Sequence, residues 1–339
     1  MIPQEKSEAV SRGLQEAFGT TTIDDISKMT RGLSSDLVFR IVVNGSPYLL
    51  RIMTRITEQM DPNRIYACMR AASDAGLTPR VLYDSTDDGV SITDFVEASP
   101  LPISVASHLL PRTLRALHAL PPFPKEFNFV TAHNGFIWRF RDAAVMPQQE
   151  IDEAFGHYRQ ICETYPRLDA DMVSSHMDLK PDNILFDGRR VWLVDWQAAF
   201  LNDRYFDLSV VANYLVSTES DEFALLETYF NQPADPYQRA RFFLMRQALH
   251  MFSGAVFLML GSGGKPIGEV EKPPSFEHFH HGVWAGNVNF ADKDQQIISG
   301  LVHWKRLLDN IRQPRFAESL QIVAARNSEG TRKLLPSAP

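Results

Sequence analysis

The chain has 339 residues, more than one small domain holds, since domains run about 100–200 residues; two structural units are expected. With 44% hydrophobic and 22% charged residues it is an ordinary globular chain, which excludes disordered, collagen-like and coiled-coil compositions. Lys and Arg number 34 against 41 Asp and Glu, and a net charge of −7 offers no basic excess for a phosphate backbone, so nucleic acid is not an expected partner.

Two cysteines, Cys68 and Cys162, lack a CxxC spacing and point to a reducing cytoplasm. The first residues hold no apolar run of signal-peptide length. The most apolar stretch, Leu249 to Leu260, is broken by His250 and Ser253 and falls short of the roughly 20 residues that cross a bilayer. A soluble chain without a membrane partner is the expectation.

Along the chain, Val10, Leu14 and Phe18 share one face of a helix that Gly19 can end. Leu37, Phe39 and Ile41 alternate as a strand, Asn44-Gly45 is a hairpin turn, and Tyr48 to Ile52 returns as a second strand. Asp61 is a plausible N-cap with Pro62 at the first helical position, and Ile65, Met69 and Ala72 follow at helical spacing until Gly76. Val81 to Tyr83 and Val90 to Phe95, around Asp87-Asp88-Gly89, read as another hairpin. A composition shift near Glu97 to Pro102 opens a helical half, beginning with Pro111 to Leu120 and including apolar-periodic stretches from Ala224 to Phe230 and Arg239 to Leu260. From Asn327 on, a loose tail is expected.

One segment of the helical half differs in kind. His176-Met177-Asp178-Leu179-Lys180-Pro181-Asp182-Asn183 is followed by a strand, the turn Asp187-Gly188, and a second strand, Val191 to Val194, that ends in Asp195. A hairpin here brings Asn183 and Asp195 to one place. Phosphoryl transfer from ATP needs a carboxylate for the attacking hydroxyl, oxygen ligands for Mg²⁺ and a nearby cation. Asp178 fits the base, Asn183 and Asp195 the metal ligands, and Lys180 the compensating charge, while His176 fits a scaffold residue bonded to the loop backbone. The bland alternative makes Asp178 and Asn183 turn formers beside Pro181.

These motifs resemble those of the aminoglycoside phosphotransferase and choline kinase family, small-molecule kinases with the two-lobed protein-kinase architecture. Val194-Asp195-Trp196 is similar to the family's strand end, and Asn202-Asp203-Arg204-Tyr205-Phe206-Asp207-Leu208 to the segment that follows, where the last aspartate supports the catalytic loop; that implies a structural role for Asp207. The resemblance further implies that Gly32-Leu33-Ser34-Ser35-Asp36 is the phosphate-covering loop, with Ser34 and Ser35 on the nucleotide. It places Arg51 as the phosphate-binding cation of the third strand and Thr93-Asp94-Phe95-Val96 as the hinge, with Asp94 and Val96 on the adenine. Two departures stand out. Arg51 replaces the usual lysine, though its planar fork still suits phosphate oxygens. Ile65 stands where the helix should carry a glutamate, which leaves Glu58 as the expected partner of Arg51.

The expected fold class is therefore α+β, a bilobal protein-kinase-like architecture. Residues 1–96 would form an antiparallel-sheet nucleotide lobe, 97–325 a mainly helical lobe carrying catalysis and the acceptor pocket, and 326–339 a tail. The expected function is transfer of the γ-phosphate of ATP, with Mg²⁺, to a hydroxyl of a small molecule. A catalytically weak nucleotide-binding protein is the alternative, kept open by Ile65. A protein kinase is a lesser one, because Asp207 follows Asp195 too closely for a peptide-cradling activation segment and no APE motif is present. Glu219, Asp221 and Glu222 could attract a cationic acceptor but more commonly mark a solvated helix start. Phe276, Phe279, Trp284 and Phe290 could form an aromatic cage but more commonly form core. Gly261-Ser262-Gly263-Gly264-Lys265 is expected as a mobile loop, and His278, His280 and His281 as surface or pocket-lining histidines rather than a metal site.

Overall fold

The structure is a computed structural model that describes residues 2–29, 36–58, 60–127, 134–268 and 272–334. The chain packs as two compact units. One combines Met1–Glu126 with Val173–Leu201, the other Phe127–Met172 with Asn202–Pro339.

The first unit is built on a five-stranded antiparallel sheet in the order β1-β2-β3-β5-β4. Its strands are β1 (Asp25–Met29), β2 (Leu37–Val43), β3 (Ser46–Ile52), β4 (Val81–Ser85) and β5 (Val90–Asp94). Asn44 and Gly45 both have positive φ, 51° and 73°, the conformation a two-residue hairpin turn demands and one that Asn and Gly adopt cheaply. The turn fixes the register, running from Val43 opposite Ser46 to Leu37 opposite Ile52. Alternation then buries Phe39, Ile41, Leu50, Ile52, Val90 and Ile92 on one face, where Val10 and Leu14 of α1 (Ser7–Phe18) cover them.

Helix α2 (Pro62–Asp74) connects β3 to β4, and its Asp61 side chain caps it by accepting the Asn63 N–H. Helix α3 (Ile103–His118) starts well before the expected Pro111, which lies inside it. The segment 173–201 contains β6 (Met172–Ser175, whose first residue falls across the division), β7 (Ile184–Phe186) and β8 (Val191–Leu193), the last two forming the expected hairpin.

In the second unit, α4 (Asn134–Asp142), α5 (Gln148–Thr164), α6 (Arg204–Leu215), α7 (Glu219–Phe230), α9 (Phe276–Trp284), α10 (Lys293–Ile311) and α11 (Pro314–Leu334) accompany a long central helix, α8 (Pro236–Ser262). By length and composition α8 is the one helix among the described residues able to cross a membrane, yet 61% of its most apolar window is buried against its neighbours, as in a core helix. Helix α10 crosses it closely: a Cβ on Gly300 would stand 2.8 Å from the Leu258 backbone nitrogen, and one on Gly261 2.7 Å from the Lys293 carbonyl.

Several expectations are corrected here. Gly261 and Ser262 form the last turn of α8, and Gly263, at φ 63°, ends it in the left-handed conformation, so the glycine run is a helix terminus rather than a free loop. The tail begins later than Asn327, since α11 runs to Leu334. His280 is buried against His250 and His303, while His278 and His281 are exposed. Two further expectations keep their more common reading. Asp221 completes a capping box with Thr218, so the acidic trio opens a helix, although Glu222 is buried rather than solvated, and Phe276 and Phe279 are buried in a core cluster with Val283 and Val302.

Candidate active site

The site grows out of the hairpin in the first unit. The Val194 N–H donates to the Asn183 carbonyl at 3.0 Å, which draws the end of β8 to the turn Pro181–Asn183 preceding β7. His176, wholly buried, ties the two chains together. Its Nε2 lies 2.9 Å from the Val194 carbonyl, and its Nδ1 faces the Asp178 N–H at 3.3 Å. A carbonyl can only accept and a backbone N–H can only donate, so in these two contacts Nε2 is the donor and Nδ1 the acceptor. It also leans on Trp196, ring centroids 4.8 Å apart, and the Trp196 indole N–H donates to Thr78 at 3.2 Å.

Asp178, Lys180 and Asn183 form one cluster. Lys180 Nζ and Asn183 Nδ2 each donate to Asp178 Oδ2 at 2.8 Å, and Asn183 Nδ2 also reaches the Asp178 carbonyl at 2.8 Å. Burial alone would push the Lys180 ammonium down, but Asp178 outweighs it and holds its pKa above the ordinary value. Among the described residues nothing donates to Asp178 Oδ1 or to Asn183 Oδ1.

Arg51 and Asp195 form the second cluster. Arg51 Nη2 donates to Asp195 Oδ1 at 3.0 Å, and Arg51 Nε donates to Asp36 Oδ2 at 2.9 Å. Burial raises the Asp195 carboxyl, yet Arg51 and then Lys180 more than offset it, leaving the group below the usual carboxylate range and ionised. Two non-glycine residues here have positive φ, Met177 at 64° and Asp195 at 70°. Such backbone is held at a cost by its surroundings and concentrates at functional sites.

The expected pairing of Glu58 with Arg51 is not what the structure shows. Glu58 is 88% exposed and lies 3.4 Å from Lys125. The carboxylate on Arg51 is Asp36, whose side chain is 1% exposed and also accepts from Gln197 Nε2 at 2.5 Å and from the Thr54 N–H at 3.3 Å. The cause is register. Arg51 pairs with Val38, so Asp36, two residues earlier, is its diagonal same-face neighbour, whereas Glu58 lies beyond the strand in solvent.

Helix α2 contributes a cation rather than a carboxylate. Ile65 is buried as core, and the adjacent Arg64 donates to the Ala199 carbonyl and, at 2.8 Å, to the Gln197 carbonyl while stacking 3.9 Å from the Phe200 ring centroid. Sequence reasoning placed Asp36 only at the end of the phosphate-covering loop, not on Arg51, and passed over Arg64. For Asp36 the hairpin register was the available signal; for Arg64 none was.

Asp94 ends β5 and makes an exposed ion pair with Arg80 at 3.2 Å, and Val96 lies two residues on, half-buried. Ser34 and Ser35 lie outside the described residues. In the second unit Asp207 is wholly buried in the first turn of α6, whose N-cap is Asp203, accepting the Tyr205 N–H at 2.9 Å.

A carboxylate oxygen that accepts no hydrogen bond from the described residues, two cations and an amide oxygen are the kinds of group that moving a phosphoryl group requires. The model of the phosphotransferase enzyme family matches residues 25–243, well over half the chain, and the chain belongs to that family. Its fold is that of the protein-kinase-like phosphotransferases.

Among curated proteins, Protein LicA of Haemophilus influenzae is 35% identical over 88 residues, 25% of this chain and 32% of that protein, so the chain spans about a third of this relative. Among solved structures, a choline/ethanolamine kinase family protein from Mesorhizobium loti is similar at TM-score 0.64 and 19% identity, covering 96% of this chain and all of that one. The choline kinase LicA from Streptococcus pneumoniae is similar at TM-score 0.57 and 13% identity, over 84% and 99% of the two chains.

Proposed function

We propose that this enzyme transfers the γ-phosphoryl group of ATP, as its magnesium complex, to a hydroxyl of a small molecule in the cytoplasm. The observation that carries the reading is the Asp178 carboxylate, fixed through Oδ2 by Lys180 and Asn183 with Oδ1 left open to an acceptor hydroxyl. Asp178 would orient that hydroxyl and take its proton as the bond to phosphorus forms. Lys180 holds the carboxylate rotamer and adds positive charge where the transferred group gains negative charge. Arg51, held by Asp36, offers its fork to phosphate oxygens.

The donor set suits a hard cation. Asn183 Oδ1 and the second oxygen of ionised Asp195 accept no hydrogen bond from the described residues, and Mg²⁺ commonly takes one or two protein oxygens, completing its shell with water and phosphates. Asn183 and Asp195 would hold it. Bound there, it would supply positive charge against the nucleotide phosphates.

On the same reading Ser34 and Ser35 cover the phosphates, Asp94 and Val96 flank the adenine, residues 1–96 serve the nucleotide and the helical part serves the acceptor. The Asp36–Arg51 pair favours an active kinase over a weak nucleotide-binding protein, since the phosphate cation has its carboxylate despite Ile65. An amino alcohol is the first acceptor to examine, given the relatives' printed names, followed by aminoglycosides, sugars and amino acids.

The test is Asp178→Asn. ATP affinity should stay within a few fold by calorimetry while turnover with the best acceptor falls about 10²–10⁴-fold. Near-parental turnover would remove Asp178 from the chemistry.

A further inference from the structure

A second cluster of cations lies wholly inside the helical unit. Arg246 of α8, Arg306 of α10 and Arg315 of α11 line a cavity of about 170 Å³ together with Glu222, Gln247 and Gln313. By the same measure about 10–15 Å³ admits one water, so the cavity has room for a small organic ion.

Three guanidiniums carry fifteen N–H donors between them. Arg306 gives a hydrogen bond to Glu277, and Arg315 gives one to Glu222. Arg246 gives none among the described residues. Its Nη1 is 4.0 Å from the nearer Glu222 oxygen, too far for a hydrogen bond, and its Nε is buried without a partner.

A guanidinium 11% exposed and without a hydrogen bond is costly to bury, and Glu222, 4% exposed and shared with Arg315, offsets that cost by charge alone and only in part. Burial is the main cause that pulls the Arg246 pKa down, to about 10, with Arg306 and Arg315 adding to it, and the group remains charged at neutral pH. Aromatic faces fix the planes of the other two: Arg306 stands 4.5 Å from the Phe276 centroid and Arg315 4.5 Å from that of Phe243. Preset, half-satisfied forks around one cavity are the means by which proteins take carboxylates and phosphates in bidentate fashion.

We propose that the Arg246–Arg306–Arg315 cavity is a binding site for a small anion, a phosphate or carboxylate group that supplies the hydrogen-bond acceptors Arg246 lacks. None of the residues assigned to the transfer reaction lines it, and nothing in that reaction requires it.

The test uses the full chain, free of nucleotide, in a phosphate-free buffer of low salt, titrated by calorimetry with inorganic phosphate, with malonate and, as a cation control, with choline. Phosphate or malonate should bind and the one that binds should raise the melting temperature. Phosphate as the stronger ligand identifies a phosphate-bearing occupant, malonate a carboxylate-bearing one.

Arg306→Gln should weaken binding about tenfold or more, since a charge-assisted bond is lost. Gln313→Glu, at an exposed lining position that disturbs no ion pair, should weaken it several-fold by repulsion, and it keeps the test open if Arg306→Gln fails to fold. Arg51→Gln, in the catalytic cluster, should leave the anion affinity unchanged. Absence of binding by both anions, parental affinity in the folded Arg306 and Gln313 variants, or loss of binding in Arg51→Gln instead would overturn the proposal. Because no step depends on turnover, failure here is distinguishable from failure of the kinase reading.

Discussion

At Asp36 a single carboxylate receives hydrogen bonds from Arg51, Gln197 and the Thr54 backbone, and through them links β2, β3 and the segment after Asp195. Removing it leaves a buried guanidinium with Asp195 as its remaining ion-pair partner. Asp36→Ala should therefore loosen the Arg51 fork, raising KM for ATP about tenfold or more with a smaller effect on kcat, because Arg51 is assigned to binding and Asp178 to the proton. Steady-state kinetics at varied ATP decide it; an unchanged KM would detach Asp36 from nucleotide binding.

The histidines make a second residue-scale case. Burial drives His250 and His303 well below the ordinary imidazole range and His280 down to about 4, with His250 and His303 in nitrogen-to-nitrogen contact at 3.1 Å. Each is neutral when folded, whereas the unfolded chain protonates near pH 6.5. Their contribution to stability is thus complete above about pH 6.5 and lost as pH falls toward 4, about 3 kcal/mol at most for His280 alone. Melting temperatures across that window should decline, and His280→Gln should shallow the decline. An equal slope in the variant would refute the assignment.

At the scale of elements, the crossing of α8 and α10 depends on small residues. An alanine at Gly300 would gain about 1 kcal/mol of helix propensity but place a Cβ 2.6 Å from Leu258 Cγ and 2.8 Å from its backbone nitrogen, so the helices must part. Overpacking of this kind costs about 1–3 kcal/mol and should prevail, lowering the melting temperature of Gly300→Ala by several degrees. A rise would mean that the crossing tolerates the methyl.

Elements were legible in the sequence where local chemistry and tertiary packing agree. Asn44-Gly45 with flanking alternation gave β2 and β3, and Asp61-Pro62 gave the start of α2. Strand β1 was not legible, because Asp-Ile-Ser-Lys-Met at a sheet edge is exposed at four of its five positions and has no alternation to detect. Helix α3 was misplaced because Pro111 reads as a first-turn residue yet sits in mid-helix, where tertiary packing outweighs the missing N–H. The Asp178–Asn183 loop was readable because its chemistry is encoded at short spacing. The Asp36–Arg51 pair was legible only through the register that the Asn44-Gly45 turn fixes, not through sequence distance, and was missed for that reason.

For the whole molecule, membership of the phosphotransferase enzyme family rests on a match to residues 25–243, which crosses the division between the two packing units three times. The segment that carries Asp178 and Asp195 clusters with the sheet bearing Arg51, so the whole proposed transfer apparatus, apart from the acceptor's own contacts, falls in one unit. The arginine cavity falls in the other.

Asp195, finally, is constrained from two directions at once. Its left-handed backbone, at φ 70°, is tolerated cheaply by glycine, asparagine and aspartate and strains most other residues. Its partner Arg51 and its assigned cation demand a full negative charge. Aspartate alone among the twenty residues meets both conditions at low cost: glutamate keeps the charge but not the conformation, and asparagine the reverse. Random drift therefore has no single-step neutral exit from this position, and a chain can diverge widely around it while Val194-Asp195-Trp196 stays recognisable.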